Sequence, residues 1–251
     1  MTQTVQQRVS EAEWQTRVDL AACYRIVAHY GWDDLIFTHI SARVPGPEHH
    51  FLVNPYGMMF EEITASSLVK VDLHGKKVMD SEFDVNPAGF TIHSAVHEAR
   101  EDAQCVLHLH TNAGVAVSVL EEGLQPYSQT ALFPLSNLSY HDYEGIALNP
   151  DEKVRLVADL GNTNFMILRN HGLLTVGNTI PNAFLGMYAM QRACEVQLMA
   201  QATGKPLVSI PEPILAGIQA QVEQVTNAMG GALAWPGILR KLDRNYPGFR
   251  S

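Results

Sequence analysis

Two histidines one residue apart, His108 and His110 within Gln104–Asn112 (QCVLHLHTN), are the residues of this 251-residue chain best suited to chemistry. Around them Cys105, Leu107 and Leu109 alternate with Val106, His108 and His110, the two-residue period of a strand whose faces meet different surroundings. Both imidazoles therefore leave the same face, about 6.6 Å apart along a strand that rises ~3.3 Å per residue, and rings at that spacing can turn onto one ion. A third ligand has to come from elsewhere in the chain. Asn170-His171-Gly172, directly after the apolar run Phe165-Met166-Ile167-Leu168, offers one, and three protein ligands with an open position are the pattern of catalytic zinc sites. A solitary histidine on a core strand is more often a hydrogen-bonded core residue. The third histidine, in a turn at the end of a second core strand, shifts the reading toward a metal.

Other titratable residues fall into two groups. Ile36 to Val44 alternates, with Ile36, Thr38, Ile40, Ala42 and Val44 on one face and Phe37, His39, Ser41 and Arg43 on the other, so His39 faces either a site or water. His93 and His97 lie one turn apart on a helix expected from Asn86 to about Arg100, a spacing that can chelate. Ser94 follows His93, so the glutamate of the zinc-protease pattern is missing, and the pair reads as structural or surface. Tyr140-His141-Asp142-Tyr143-Glu144-Gly145 crowds proton-exchanging side chains into what looks like a connecting segment, where function is often carried.

The length suits one domain with a substantial core, and no linker or shift in composition divides it. A net charge of -9 with Lys and Arg scattered argues against nucleic acid as a partner. The first 23 residues hold no apolar core with a cleavage site, and no apolar run reaches the ~18 residues of a membrane span, so a cytoplasmic protein without membrane contact is expected. Cys23, Cys105 and Cys194 are too few and too far apart for a disulfide framework.

Capping signals place the elements that must position these residues. Ser10-Glu11-Ala12-Glu13 reads as a capping box, opening a helix that Gly31 stops. Pro45-Gly46-Pro47 turns the Ile36–Val44 strand into a hairpin with Phe51-Leu52-Val53; Thr64–Leu68 reads as a helical turn, followed by Val69–Leu73 and Lys77–Met79 as strands. Asn86-Pro87 and Asn149-Pro150 are helix starts. Asn112–Leu120 is helical, Leu132-Phe133-Pro134-Leu135 a proline-interrupted edge strand, Ile180–Thr203 the longest helix, and Ile214–Met229 and Leu233–Leu242 two more. Interleaved helices and hairpins give an α/β domain with a mixed, largely antiparallel sheet. No glycine-rich phosphate loop is present, so nucleotide cofactors are not indicated.

Together these residues resemble the class II aldolase and adducin head-domain family. The resemblance is carried by His108-Leu109-His110 with Asn170-His171-Gly172 downstream, by FTHISAR (37–43), NPYGMMFEEITASSLVKVD (54–72) and NPAGFTIHSAVHEAR from Asn86, and by YHDYEGIA (140–147). It is strongest over 14–204, with 212–251 as a helical tail of one domain spanning 1–251. The resemblance implies a three-layer α/β/α sandwich and a homotetramer with the metal site near a subunit boundary. In the family's sugar-phosphate aldolases and the related epimerase three histidines bind zinc or a similar ion, and they match His108, His110 and His171. The helix that opens there with two serines for phosphate and an acid for proton transfer reads Pro87, Ala88 and Gly89 in this chain, and the usual glycine-asparagine of the first phosphate loop reads Thr38-His39.

The function expected from the residues and the resemblance is a divalent-metal-dependent lyase, of aldolase or decarboxylase type, on a small oxygenated substrate without phosphate. Zinc is the expected metal, with iron or manganese as alternatives. With no acid at Gly89, the candidate bases are His39 and His141, then Tyr140 and Glu144, since an imidazole titrates near neutrality. Two other functions are consistent with the same resemblance. One is an Fe(II) oxygenase of a keto acid, like the prenylphenylpyruvate oxygenases of aminocoumarin pathways. The other is an adducin-like interaction module without catalysis, binding actin or cytoskeleton by analogy.

Overall fold

Among the described residues, seven strands make one sheet in the order β3-β2-β1-β4-β7-β6-β5. They are β1 (His39–Arg43), β2 (Phe51–Val53), β3 (Val69–Val71), β4 (Cys105–Leu109), β5 (Leu138–His141), β6 (Phe165–Leu168) and β7 (Gly172–Gly177). The computed structural model describes residues 3–145, 151–226 and 230–251. All pairings are antiparallel except that of β5 with β6, which gives the mixed sheet expected. The helices are α1 (Val5–Arg8), α2 (Glu11–His29), α3 (Pro87–Ala99), α4 (Asn112–Ser118), α5 (Gln129–Leu135), α6 (Glu152–Leu160), α7 (Ile180–Gln201), α8 (Glu212–Ala216), α9 (Ile218–Thr226) and α10 (Gly230–Asn245).

Alternation along each central strand separates two cores. Ile40, Ala42, Cys105, Leu107, Leu109, Ile167 and Leu173 face a large cluster with α2, α4, α5, α7 and α10. Val106, Met166, Leu168, Leu174 and Val176 face a smaller one closed by Ile92 and Val96 of α3 and Leu156 and Leu160 of α6. Helices therefore cover both faces, a three-layer sandwich. The smaller face also carries His39 and Ser41 of β1 and His108 of β4, paired His39 with His108 and Ser41 with Val106 across the two strands.

Several local readings change. Ser10 caps α2 by accepting from the Glu13 N–H at 3.1 Å, but Glu13 does not complete the box. Its carboxylate instead binds Arg17 at 3.0 Å and Lys70 at 2.8 Å, because a buried arginine is a stronger attractor than a cap N–H. Leu132–Leu135 is helical, in α5. Four apolar residues fit either conformation, and the Ser128 hydroxyl, accepting from Ala131 N at 3.2 Å, decides for the helix. Pro134 is tolerated near the end of this short helix, where few N–H bonds remain to lose. Tyr140 and His141 belong to a strand rather than to a loop. Thr64–Leu68 forms turns without a helix, Lys77 makes a single bridge to Val71, and the Ile214–Met229 helix is split at Gly217. The Asn149-Pro150 helix start lies outside the described residues.

Candidate metal centre

β4 delivers His108, and the residue that follows it in the chain direction, His110, stands at the entrance to α4, whose cap is Thr111. The third histidine arrives on the tight turn between β6 and β7. Asn170 takes a left-handed backbone with φ 56°, a conformation that Asn tolerates better than most residues. Gly172 has no alternative: a Cβ there would sit 2.5 Å from the Leu109 carbonyl oxygen. The Asn-His-Gly sequence is thus what lets β7 run against β4 while His171 turns toward His108.

The three rings meet through their Nε2 atoms. His108 Nε2 lies 3.0 Å from His110 Nε2 and 3.2 Å from His171 Nε2. The far nitrogens determine what those atoms carry. His108 Nδ1 lies 3.1 Å from the Leu173 carbonyl oxygen and His110 Nδ1 3.0 Å from Asp34 Oδ2, acceptors that can only receive a proton. In the neutral rings, Nε2 of both His108 and His110 is therefore a lone pair. Two lone pairs cannot hydrogen-bond each other, and a cation between them would satisfy both. Metal–nitrogen bonds of ~2.0–2.1 Å put tetrahedral ligand nitrogens about 3.3 Å apart, close to what these rings adopt. Burial, then the neighbouring imidazoles His171 and His110, push His108 well below the usual histidine range. Burial, followed by His110 and His141, brings His171 down to about 4. Both are neutral at pH 7, the state that ligates. Among the described residues this is the one group of three or more His, Cys, Asp or Glu side chains gathered closely enough to hold a metal. The donor set fits a divalent ion, with Leu173 and Asp34 fixing two of the rings from behind.

The candidate bases fall in different places. His39 is 4% exposed, on the His108 face, and neither of its ring nitrogens has a partner. Its ring fills the space above Gly89: a Cβ at 89 would lie 2.1 Å from His39 Cε1 and Nδ1. Burial, then His110, takes its pKa down to about 4. His141 is buried on the same face, with Nδ1 2.7 Å from Asp159 Oδ2 and Nε2 3.8 Å from Glu152 Oε1. Tyr140 projects to the opposite core, as alternation with His141 requires; its hydroxyl accepts from Leu124 N at 3.1 Å and Arg169 stacks 4.3 Å over its ring. Glu144 is paired with Arg155 in a bidentate ion pair at the surface. The structure therefore brings His39 toward the three-histidine cluster and turns Tyr140 away.

Residues 18–198 match the model of the Class II Aldolase and Adducin N-terminal domain family. The chain belongs to this family. A Pseudomonas aeruginosa protein provisionally named an aldolase class 2 protein is 65% identical over 249 residues, 98% of this chain and 96% of its own. Mouse alpha-adducin is 45% identical over 202 residues, 78% of this chain but 27% of the adducin. Among solved structures, an aldolase II superfamily protein from Pseudomonas syringae superimposes with a TM-score of 0.94 at 48% identity, covering 99% of this chain and 100% of that one. L-fuculose 1-phosphate aldolase from Glaciozyma antarctica does so with 0.80 at 30% identity, covering 99% and 96%.

Within this class II aldolase and adducin domain, three features escaped sequence reasoning. Asp34 stands 76 residues from His110, the ring that it orients, and nothing in a pattern of its neighbours announces that role. Asp159 and Glu152 reach His141 from α6. Ser41 joins His93 and His97 in one buried network, which their spacing on α3 could not reveal without the strand opposite.

Proposed function

We propose that this chain is a divalent-metal-dependent lyase, cleaving or forming a carbon–carbon bond beside a carbonyl in a small oxygenated, non-phosphorylated molecule. The observation that carries the reading is the convergence of three Nε2 atoms, two with their lone pair aimed inward by a partner on the far nitrogen. His108, His110 and His171 would hold the ion, zinc by preference for a site of three imidazoles. When bound, the ion supplies Lewis-acid polarisation of a carbonyl and leaves positions for a chelating substrate. The protein's own part is to orient and to move protons. Leu173 and Asp34 fix the ligand rings; His39, in the seat left by Gly89, is the first candidate for proton transfer and His141, held by Asp159, the second.

Elemental analysis of protein purified without chelator or nickel resin tests this directly. About one zinc or manganese per chain is expected, lost in His108→Ala and His171→Ala variants; iron would favour an oxygenase, and full metal content in both variants would overturn the ligand assignment.

A second reading is supported by the alpha-adducin match: the same domain as an interaction module without catalysis. A cluster that stays empty after growth in metal-rich medium would favour it. The homotetramer is part of the proposal, and light scattering on a sizing column tests it.

A further inference from the structure

Behind the metal cluster, three buried side chains form a hydrogen-bond train whose direction can be deduced. His97 Nδ1 lies 2.8 Å from the Ala103 carbonyl oxygen. A carbonyl only accepts, so His97 carries its proton on Nδ1 and offers a lone pair at Nε2. Ser41 Oγ, 2.7 Å from that Nε2, must donate to it. The serine oxygen then accepts from His93 Nδ1 at 2.6 Å, which places the proton of His93 on Nδ1 as well. The train thus ends on a lone pair at His93 Nε2, a buried atom with no partner. The neighbouring ring is that of His39, edge-on at 80° with centroids 5.9 Å apart, and both of its nitrogens also lack partners. Burial first, and then other charged groups, keeps all three histidines neutral: His97 is taken to about 3, His39 to about 4 and His93 well below its usual value.

We propose that Ser41, His93 and His97 are positioning residues for His39: the lone pair of His93 Nε2 receives the N–H of His39, directly or through one water, and so fixes which His39 nitrogen is left as an acceptor. The chemistry supports this assignment over a merely structural one. Leaving a buried acceptor and a buried donor side by side and unsatisfied is costly, whereas joining them removes both penalties. His39 stands directly across from His108 in the β1–β4 pairing and fills the space of the absent side chain at Gly89. Its orientation therefore matters for the proposed lyase, on which this inference rests. In that lyase, a ring with its lone pair turned outward can take a proton from a substrate held beside it, and one with its N–H turned outward cannot.

Long-range 1H–15N correlation of the imidazoles at neutral pH, on zinc-free full-length protein, reads the protonated nitrogen of each ring without any assay of activity. The expected spectrum has His93 and His97 protonated at Nδ1 and His39 locked in a single tautomer. In Ser41→Ala the train is cut, and His39 is expected to become a mixture of tautomers while zinc binding stays at one per chain. His93 protonated at Nε2 in the wild type would overturn the inference, as would a His39 signal indifferent to Ser41→Ala. The wild-type spectrum decides even if the variant does not fold. Failure of the lyase reading would show separately, as a chain that takes up no zinc whatever its tautomers.

Discussion

Gly89 and His39 share one space, and that decides what each can be. Glycine inside a helix ordinarily gives up about 1 kcal/mol relative to alanine, so Gly89→Ala on α3 would be expected to stabilise if nothing faced it. Here the added Cβ would stand 2.1 Å from the imidazole of His39, itself buried on a paired strand with little room to retreat. The sign therefore reverses: Gly89→Ala should lose about 1–3 kcal/mol, the scale of core overpacking. Urea midpoints measure it. In the double variant His39→Ala/Gly89→Ala the clash is gone, so the loss should be smaller than the sum of the two single losses, and additivity would show that the residues do not meet.

At the scale of elements, the three-histidine cluster is made by the end of β4 and the turn between β6 and β7. Gly172→Ala is predicted to weaken the protein and to drop its zinc content well below one per chain, because the new methyl would lie 2.5 Å from the Leu109 carbonyl oxygen and force β7, with His171, away from β4. Asn170→Gly should leave zinc content unchanged, since glycine adopts the φ of 56° freely. Metal analysis of the two purified variants separates these outcomes. This part of the fold was legible in the sequence for a physical reason: alternation put His108 on one face without knowledge of the rest, and a turn signal put His171 at a strand end. Where the sequence misled, at Leu132–Leu135, the local pattern was compatible with two conformations, and the Ser128 cap four residues before it chose. Asp34, Ser41 and Asp159 stayed hidden because their roles exist only once distant segments are brought together. Gly89 was legible as a missing acid, but the ring occupying its place was not.

The molecule as a whole depends on its last helix and on its buried histidines. Trp235, Leu242 and Phe249 lie in the main core, and the Trp235 indole donates to Asp19 at 2.8 Å. At roughly 1.5–3 kcal/mol for each buried side chain, deleting residues 230–251 should remove an amount comparable with the whole stability of an ordinary domain. The truncated chain is expected to lack near-UV circular dichroism, and the intact one to unfold in a single transition if 1–251 is one domain, as we propose. Acid should act through the second core. His97 is kept neutral by burial and is brought to about 3, while His93 is lowered in the same direction; in the unfolded chain both titrate near ~6.5. Between those values the unfolded chain binds protons that the folded one refuses. Stability is therefore full above about pH 6.5 and declines as pH falls toward 3, by about 1.4 kcal/mol per pH unit through His97, with His93 acting in the same direction. Urea midpoints at pH 7.5, 6.0 and 5.0 in the presence of chelator should fall accordingly. His97→Gln removes one of the rings responsible, so its stability should decline less steeply with acid than that of the wild type; equal slopes would mean that His97 is not held neutral and that the deduced direction of the Ser41 hydrogen bond lacks its starting point.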